Sequence, residues 1–140
     1  ATLEALAGTI RARREAGEGS YTFRLLTGNA DSPLKKVVVE ANEVTLAAKD
    51  VEAAKMMLAS LAGHEGSHAG MAEAFAAKAD AACDHLRYEA ADVVYHLLVV
   101  LERYGIGIDE FAAELNNRMT DEERPQGAIR LYEEHVKRGK

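Results

Sequence analysis

An all-α fold is what this sequence predicts, and three observations predict it. Alanine, the strongest helix former, makes up about a fifth of the chain. The only prolines are Pro33 and Pro125, so about ninety residues between them lack a breaker of that kind. Apolar residues recur at helical rather than alternating spacing through the long segments. At 140 residues, with 48% apolar and 29% charged side chains, the composition is that of one ordinary globular domain.

Leu3, Leu6, Ala7 and Ile10 give the first helix its apolar stripe, and the stretch Gly17 to Gly19 ends it. A short helix, SYTFRLL, follows from Ser20 and stops at Gly28-Asn29. Ser32 is expected to cap the next helix, with Pro33 at its first position, where proline is best tolerated. Leu34, Val37, Val38, Ala41, Val44 and Ala48 share one face of that helix, which reads as core. Asp50 is expected to cap a further segment running to about Ala62. Helix resumes near Met71, with a break expected around Asp80, and continues to Tyr104. Gly105 and Gly107 close it, Asp109 caps GIDEFAAELNNRM, and a charged C-terminal helix is expected after Pro125. The resulting division is a domain over residues 1–118 and a charged helix or tail over 119–140.

Charge and cysteine usage exclude several functions. A net charge of −6 argues against general nucleic-acid binding, which needs a basic surface. It leaves phosphate chemistry open, because acidic proteins hold phosphates through divalent cations. Cys83 is the only cysteine, so neither an intrachain disulfide nor a thiolate zinc cluster can form, and a reducing, cytoplasmic setting is expected. The opening ATLEALAGTIRARREAG carries charges throughout, unlike the apolar core of a signal peptide. The near-apolar run Ala90 to Leu101 is too short to span a bilayer and contains Asp92 and His96, so no membrane partner is expected.

Residues 64–68 spell HEGSH, the H-E-x-x-H pattern of zinc peptidases. Those enzymes present both histidines on one face of a regular helix. Here Gly63, Gly66 and Gly70 each weaken a helix by about 1 kcal/mol. The extended motif also asks for a glycine and a histidine where this chain has Met71 and Ala74. The stretch reads as a polar loop rather than a catalytic zinc site.

Two acidic pairs point elsewhere. KKVVVEANEVTLAAK contains Glu40 and Glu43, and RYEAADVVYHLLVVL contains Glu89 and Asp92, each spaced i, i+3. That spacing sets both carboxylates of a pair on one side of a helix. His85, Glu89, Asp92 and His96 form one polar seam in an otherwise greasy helix, where an ionised carboxylate costs several kcal/mol unless paired or coordinated. Two such helices side by side would converge four carboxylates, an all-oxygen set suited to Mg²⁺ or Mn²⁺. The competing reading pairs Glu40 and Glu43 with lysines on a wet face, and Asp92 with an arginine across a dimer contact. His96 reads as a satisfied core histidine at such a contact rather than a ligand.

SYTFRLL, KKVVVEANEVTLAAKD and YEAADVVYHLLVVLERYGIGIDEFAAELNNR together resemble the phosphoribosyl-ATP pyrophosphohydrolase family of histidine biosynthesis, within the all-α, MazG-like nucleotide pyrophosphohydrolases. The resemblance implies a four-helix core completed by dimerisation, in homodimers or dimers of dimers. It implies Mg²⁺-dependent cleavage of phosphoribosyl-ATP to phosphoribosyl-AMP and pyrophosphate. It carries the metal ligands onto Glu40, Glu43, Glu89 and Asp92, with Glu40 or Glu43 accepting the proton of the attacking water. Lys36, Lys35 and Arg24 are the implied phosphate contacts, and Tyr21 and Thr22 further substrate contacts. Two departures stand out. Val38 and Val39 occupy the place of the family's glycine and first glutamate, and the middle segment, about 51–85, is longer than usual. A nucleoside triphosphate pyrophosphohydrolase on the same scaffold, and a non-catalytic helical dimer, are the alternative readings.

Overall fold

The computed structural model describes residues 1–62 and 69–130; HEGSH lies outside the described residues, as does any C-terminal helix beyond Arg130. Five α-helices occur among them and no β-strand: α1 (Thr2–Ala12), α2 (Tyr21–Thr27), α3 (Asp31–Leu61), α4 (Ala69–Arg103) and α5 (Ile108–Asn117). A 3₁₀ turn, Arg13–Glu15, extends α1 before Gly17 takes φ +79° and reverses the chain. Two compact units divide the chain: residues 1–30 with 98–140, and residues 31–97. None of the helices is long and apolar enough to cross a membrane among the described residues.

In the first unit, Ile10, Leu25, Leu26, Leu98, Val99 and Ala113 are buried. Ser20 caps α2 as its sequence position suggests, its hydroxyl accepting from the Phe23 N–H at 3.2 Å. At the other end of α2 the carbonyls left without helical partners are gathered by a single side chain. Arg103 donates to Leu25 O and to Gly28 O, both at 2.9 Å. Gly28 is required there by space, since a Cβ would lie 2.6 Å from the Arg24 carbonyl oxygen. Glu102, next along α4, pairs with Arg14 at 3.0 Å and Arg11 at 3.6 Å, tying α1 and its 3₁₀ extension to the end of α4.

The second unit departs from the sequence reading in three ways. α3 begins at Asp31, so Ser32 and Pro33 lie within its first turn, where Pro33 costs no helical hydrogen bond. Helix runs unbroken through Asp50 and through Asp80; both residues are exposed, where aspartate costs only its modest propensity. No segment boundary exists at either. Finally, the fully buried positions of α3 are Pro33, Glu40 and Ala47, seven residues apart. The face expected to be core is largely open in the isolated chain: Leu34 and Val38 are exposed, as are Ala41 and Ala48. Beyond α4, Gly105 (φ +75°) turns the chain and Gly107, rather than Asp109, is the N-cap of α5. Pro125 is followed by turns up to Arg130, with no helix over those residues.

Candidate active site

The i, i+3 pairs lie on α3 and α4 of the second unit, and the two helices bring three of the four carboxylates together. One carboxylate oxygen from each of Glu40, Glu89 and Asp92 lies within 4.8 Å of the others. Glu40 and Glu89 are 5% and 6% exposed, and Asp92 is half-buried. Of the two carboxylates on the polar seam of α4, Glu89 is the deeper and Asp92 the shallower. Glu43, one turn beyond Glu40, is half-buried and stands outside this three-residue group.

Three carboxylates this close repel. Full charges 4.8 Å apart cost about 3.5 kcal/mol per pair at an effective dielectric of about 20. Lys36 stands beside them, its Nζ 3.7 Å from Glu40 Oε1. His85 Nε2 lies 3.5 Å from Glu89 Oε1. The second oxygens, Glu40 Oε2 and Glu89 Oε2, are buried with no hydrogen-bond partner among the described residues. Buried acceptors left so are costly and therefore ask for an occupant.

A hard divalent cation fits these residues. The donors are all oxygen, two of them orphaned, and one lysine leaves the group short of positive charge. Ligand oxygens on a small octahedral ion sit about 3–4 Å apart. A spread of up to 4.8 Å therefore needs a closure of about 1–2 Å, which is within reach of side-chain rotation.

Lys35 is exposed and Lys36 half-exposed on the same turn of α3. Tyr21, Thr22 and Arg24 belong to α2 in the first unit; the Arg24 guanidinium donates to Glu18 O at 2.7 Å, and Tyr21 is exposed. His96 is buried and its Nδ1–H donates to the Asp92 carbonyl oxygen at 2.8 Å, with the Tyr95 ring edge-on at 4.9 Å. It stands outside the carboxylate group, as a core residue would. Further out along α3 and α4, Asp50, Ala54, Met57, Phe75 and Lys78 line a cleft of about 380 Å³. With one acid and one base on an apolar lining, that cleft is poorly matched to a polyphosphate. A basic residue stands four positions before each buried glutamate, Lys36 before Glu40 and His85 before Glu89, and K-x-x-x-E and H-x-x-x-E carry that pairing in the sequence.

The sequence profile of a family described as phosphoribosyl-ATP pyrophosphohydrolase matches residues 3–119. The phosphoribosyl-ATP pyrophosphatase of Rhodopirellula baltica is 32% identical over 117 residues, covering 83% of this chain and 75% of that protein. Its counterpart in Limosilactobacillus fermentum is 35% identical over 129 residues, covering 89% of this chain and 93% of that protein. The histidine biosynthesis bifunctional protein HisIE of Halalkalibacterium halodurans is 35% identical over 118 residues, which is 84% of this chain but 41% of that longer protein. No solved structure matches.

Proposed function

Since this chain belongs to the phosphoribosyl-ATP pyrophosphohydrolase family, we propose that it hydrolyses phosphoribosyl-ATP to phosphoribosyl-AMP and pyrophosphate, as a step of histidine biosynthesis, with a divalent cation held by Glu40, Glu89 and Asp92. The observation that carries the site is the convergence of those carboxylates from two helices with two buried oxygens unsatisfied.

Mg²⁺, or Mn²⁺ in its place, would supply charge neutralisation of the triphosphate and a more acidic water. The chain's own residues do the rest. Glu40 and Glu89 present their unpartnered oxygens on rigid, buried stretches of helix, so little reorganisation is needed on binding. Glu43, one turn on and outside the three-residue group, would accept the proton of the attacking water. The water's oxygen forms a bond to the α-phosphorus, and the bond from that phosphorus to the bridging oxygen breaks. Pyrophosphate leaves with the electron pair, and the proton stays on Glu43. Lys36 and Lys35 offer ammonium groups to phosphate oxygens from the same helix. Arg24, Tyr21 and Thr22 are assigned to the substrate by resemblance alone.

The chain would act as a homodimer or a dimer of dimers. Support comes from the open apolar positions of the second unit: Val38 is 70% and Leu46 57% exposed, alongside Leu34 and Val94. Such side chains clustered on helices that also carry a site are a common dimer surface. The test of function is pyrophosphate release from phosphoribosyl-ATP and from a panel of nucleoside triphosphates, with and without Mg²⁺. Metal-dependent turnover preferring phosphoribosyl-ATP is expected; preference for a nucleoside triphosphate would replace the substrate, and no turnover on any would leave a binding protein.

A further inference from the structure

His85 takes no part in the reaction as described, yet it touches the site. Its Nε2 lies 3.5 Å from Glu89 Oε1, while Glu89 Oε2 is buried and unpartnered. The opposite helix repeats the arrangement: Lys36 Nζ faces Glu40 Oε1 at 3.7 Å, and Glu40 Oε2 is buried and unpartnered. On each side a basic group one turn before the glutamate lies within 3.7 Å of Oε1, while Oε2 is buried without a partner. We propose that His85 is a positioning residue: its ring N–H holds Glu89 Oε1 and so fixes the direction in which Glu89 Oε2 is offered to the cation. This rests on the reading of Glu40, Glu89 and Asp92 as a divalent-cation site.

A direct ligand role is disfavoured by place. The mutually close group contains Glu40, Glu89 and Asp92 but not His85, which sits on the outer side of Glu89 with 56% of its side chain exposed. The Tyr88 ring lies nearly parallel to the His85 ring, 11° between planes with centroids 6.5 Å apart. An imidazole suits the task better than a second lysine. It has two side-chain torsions to fix where lysine has four, so less rotamer entropy is lost in holding the carboxylate. A partner that orients a ligand without touching the metal is worth about 10–100-fold in metal affinity.

The experiment is Mn²⁺ titration of the whole chain followed by electron paramagnetic resonance of the free ion, for the wild type, His85→Leu, His85→Gln and Glu89→Gln. Thermal unfolding of each without metal accompanies it. His85→Leu is expected to weaken Mn²⁺ binding about 10-fold or more, with metal-free stability unchanged because the residue is exposed. His85→Gln, which keeps an N–H donor, should recover most of that loss. In turnover, His85→Leu should raise the Mg²⁺ concentration needed for half-maximal rate, and saturating Mg²⁺ should restore kcat. Equal Mn²⁺ affinity in His85→Leu and wild type overturns the role while leaving the cation site standing. So does an equal loss in His85→Leu and His85→Gln, or a loss that tracks metal-free stability. No saturable Mn²⁺ binding by the wild type, with Glu89→Gln indistinguishable from it, overturns the site and this role together.

Discussion

Glu89→Gln should make the metal-free protein more stable and the metal-loaded protein relatively less so. Glu89 is 6% exposed, and its carboxylate shares a space with two others whose oxygens lie within 4.8 Å. Each neighbour repels it by about 3.5 kcal/mol when fully charged at an effective dielectric of about 20. Lys36 and side-chain relaxation offset much of that, so a net gain of about 1–3 kcal/mol is expected on removing the charge, in line with other buried-charge replacements. For a domain of this size that is a rise in Tm of about 3–5 °C per kcal/mol. Divalent metal reverses the trend. At 100 times its Kd, Mg²⁺ stabilises the wild type by about 2.7 kcal/mol. A variant binding 100-fold more weakly gains only about 0.4 kcal/mol at the same concentration. Differential scanning calorimetry at zero and saturating Mg²⁺ measures both arms. The reasoning fails if Glu89→Gln unfolds at lower temperature than wild type without metal, or if its response to Mg²⁺ equals the wild-type response.

Three further outcomes follow from particular contacts. Gly28→Ala should lower Tm by several degrees, because its Cβ would sit 2.6 Å from a backbone oxygen and would disturb the carbonyls that Arg103 holds; an unchanged Tm would contradict the packing at the end of α2. Val38→Glu combined with Leu46→Glu should halve the mass seen by light scattering while leaving the circular dichroism of the chain intact, since both side chains are exposed in the isolated chain. An unchanged mass would contradict the proposed dimer surface on α3. Val39→Glu adds an acid beside Glu40, at the position where the resemblance implies one, yet Val39 is exposed and not among the clustered residues. Its effect on kcat should stay under about tenfold, less than about 1.4 kcal/mol of barrier; a larger gain would mean that the wild type is an impaired enzyme.

How far the sequence could be read depended on whether the relevant physics was local. Ser20 as a cap, Gly28 as a stop and the two carboxylate pairs were legible because each involves residues within one or two turns of each other. Asp50 and Asp80 misled for the same reason. An aspartate looks like a helix start from its neighbours alone, yet on an exposed helix face its weak cost is outweighed by the packing of the helix around it. Helical periodicity found an apolar face on α3 but could not say what covers it. The buried face within the chain proved to be the one carrying Pro33, Glu40 and Ala47, and the greasier one with Val38 is left open. The bridges from Arg103 to the end of α2 and from Arg14 to Glu102 join residues more than seventy positions apart, and no sequence period records them. Three of the four expected ligands came together, while the grading of their burial, Glu89 deeper than Asp92, needed three dimensions.

The central claim is that Glu40 and Glu89, with Asp92, hold one divalent cation between α3 and α4. Crystals grown with Mn²⁺ and measured for anomalous scattering at the manganese edge test it most directly. The account predicts a peak within about 2.3 Å of one oxygen from each of the three side chains, a normal bond length for a small divalent ion. Occupied manganese elsewhere in the crystal, with these three carboxylates turned away from any common point, would contradict it.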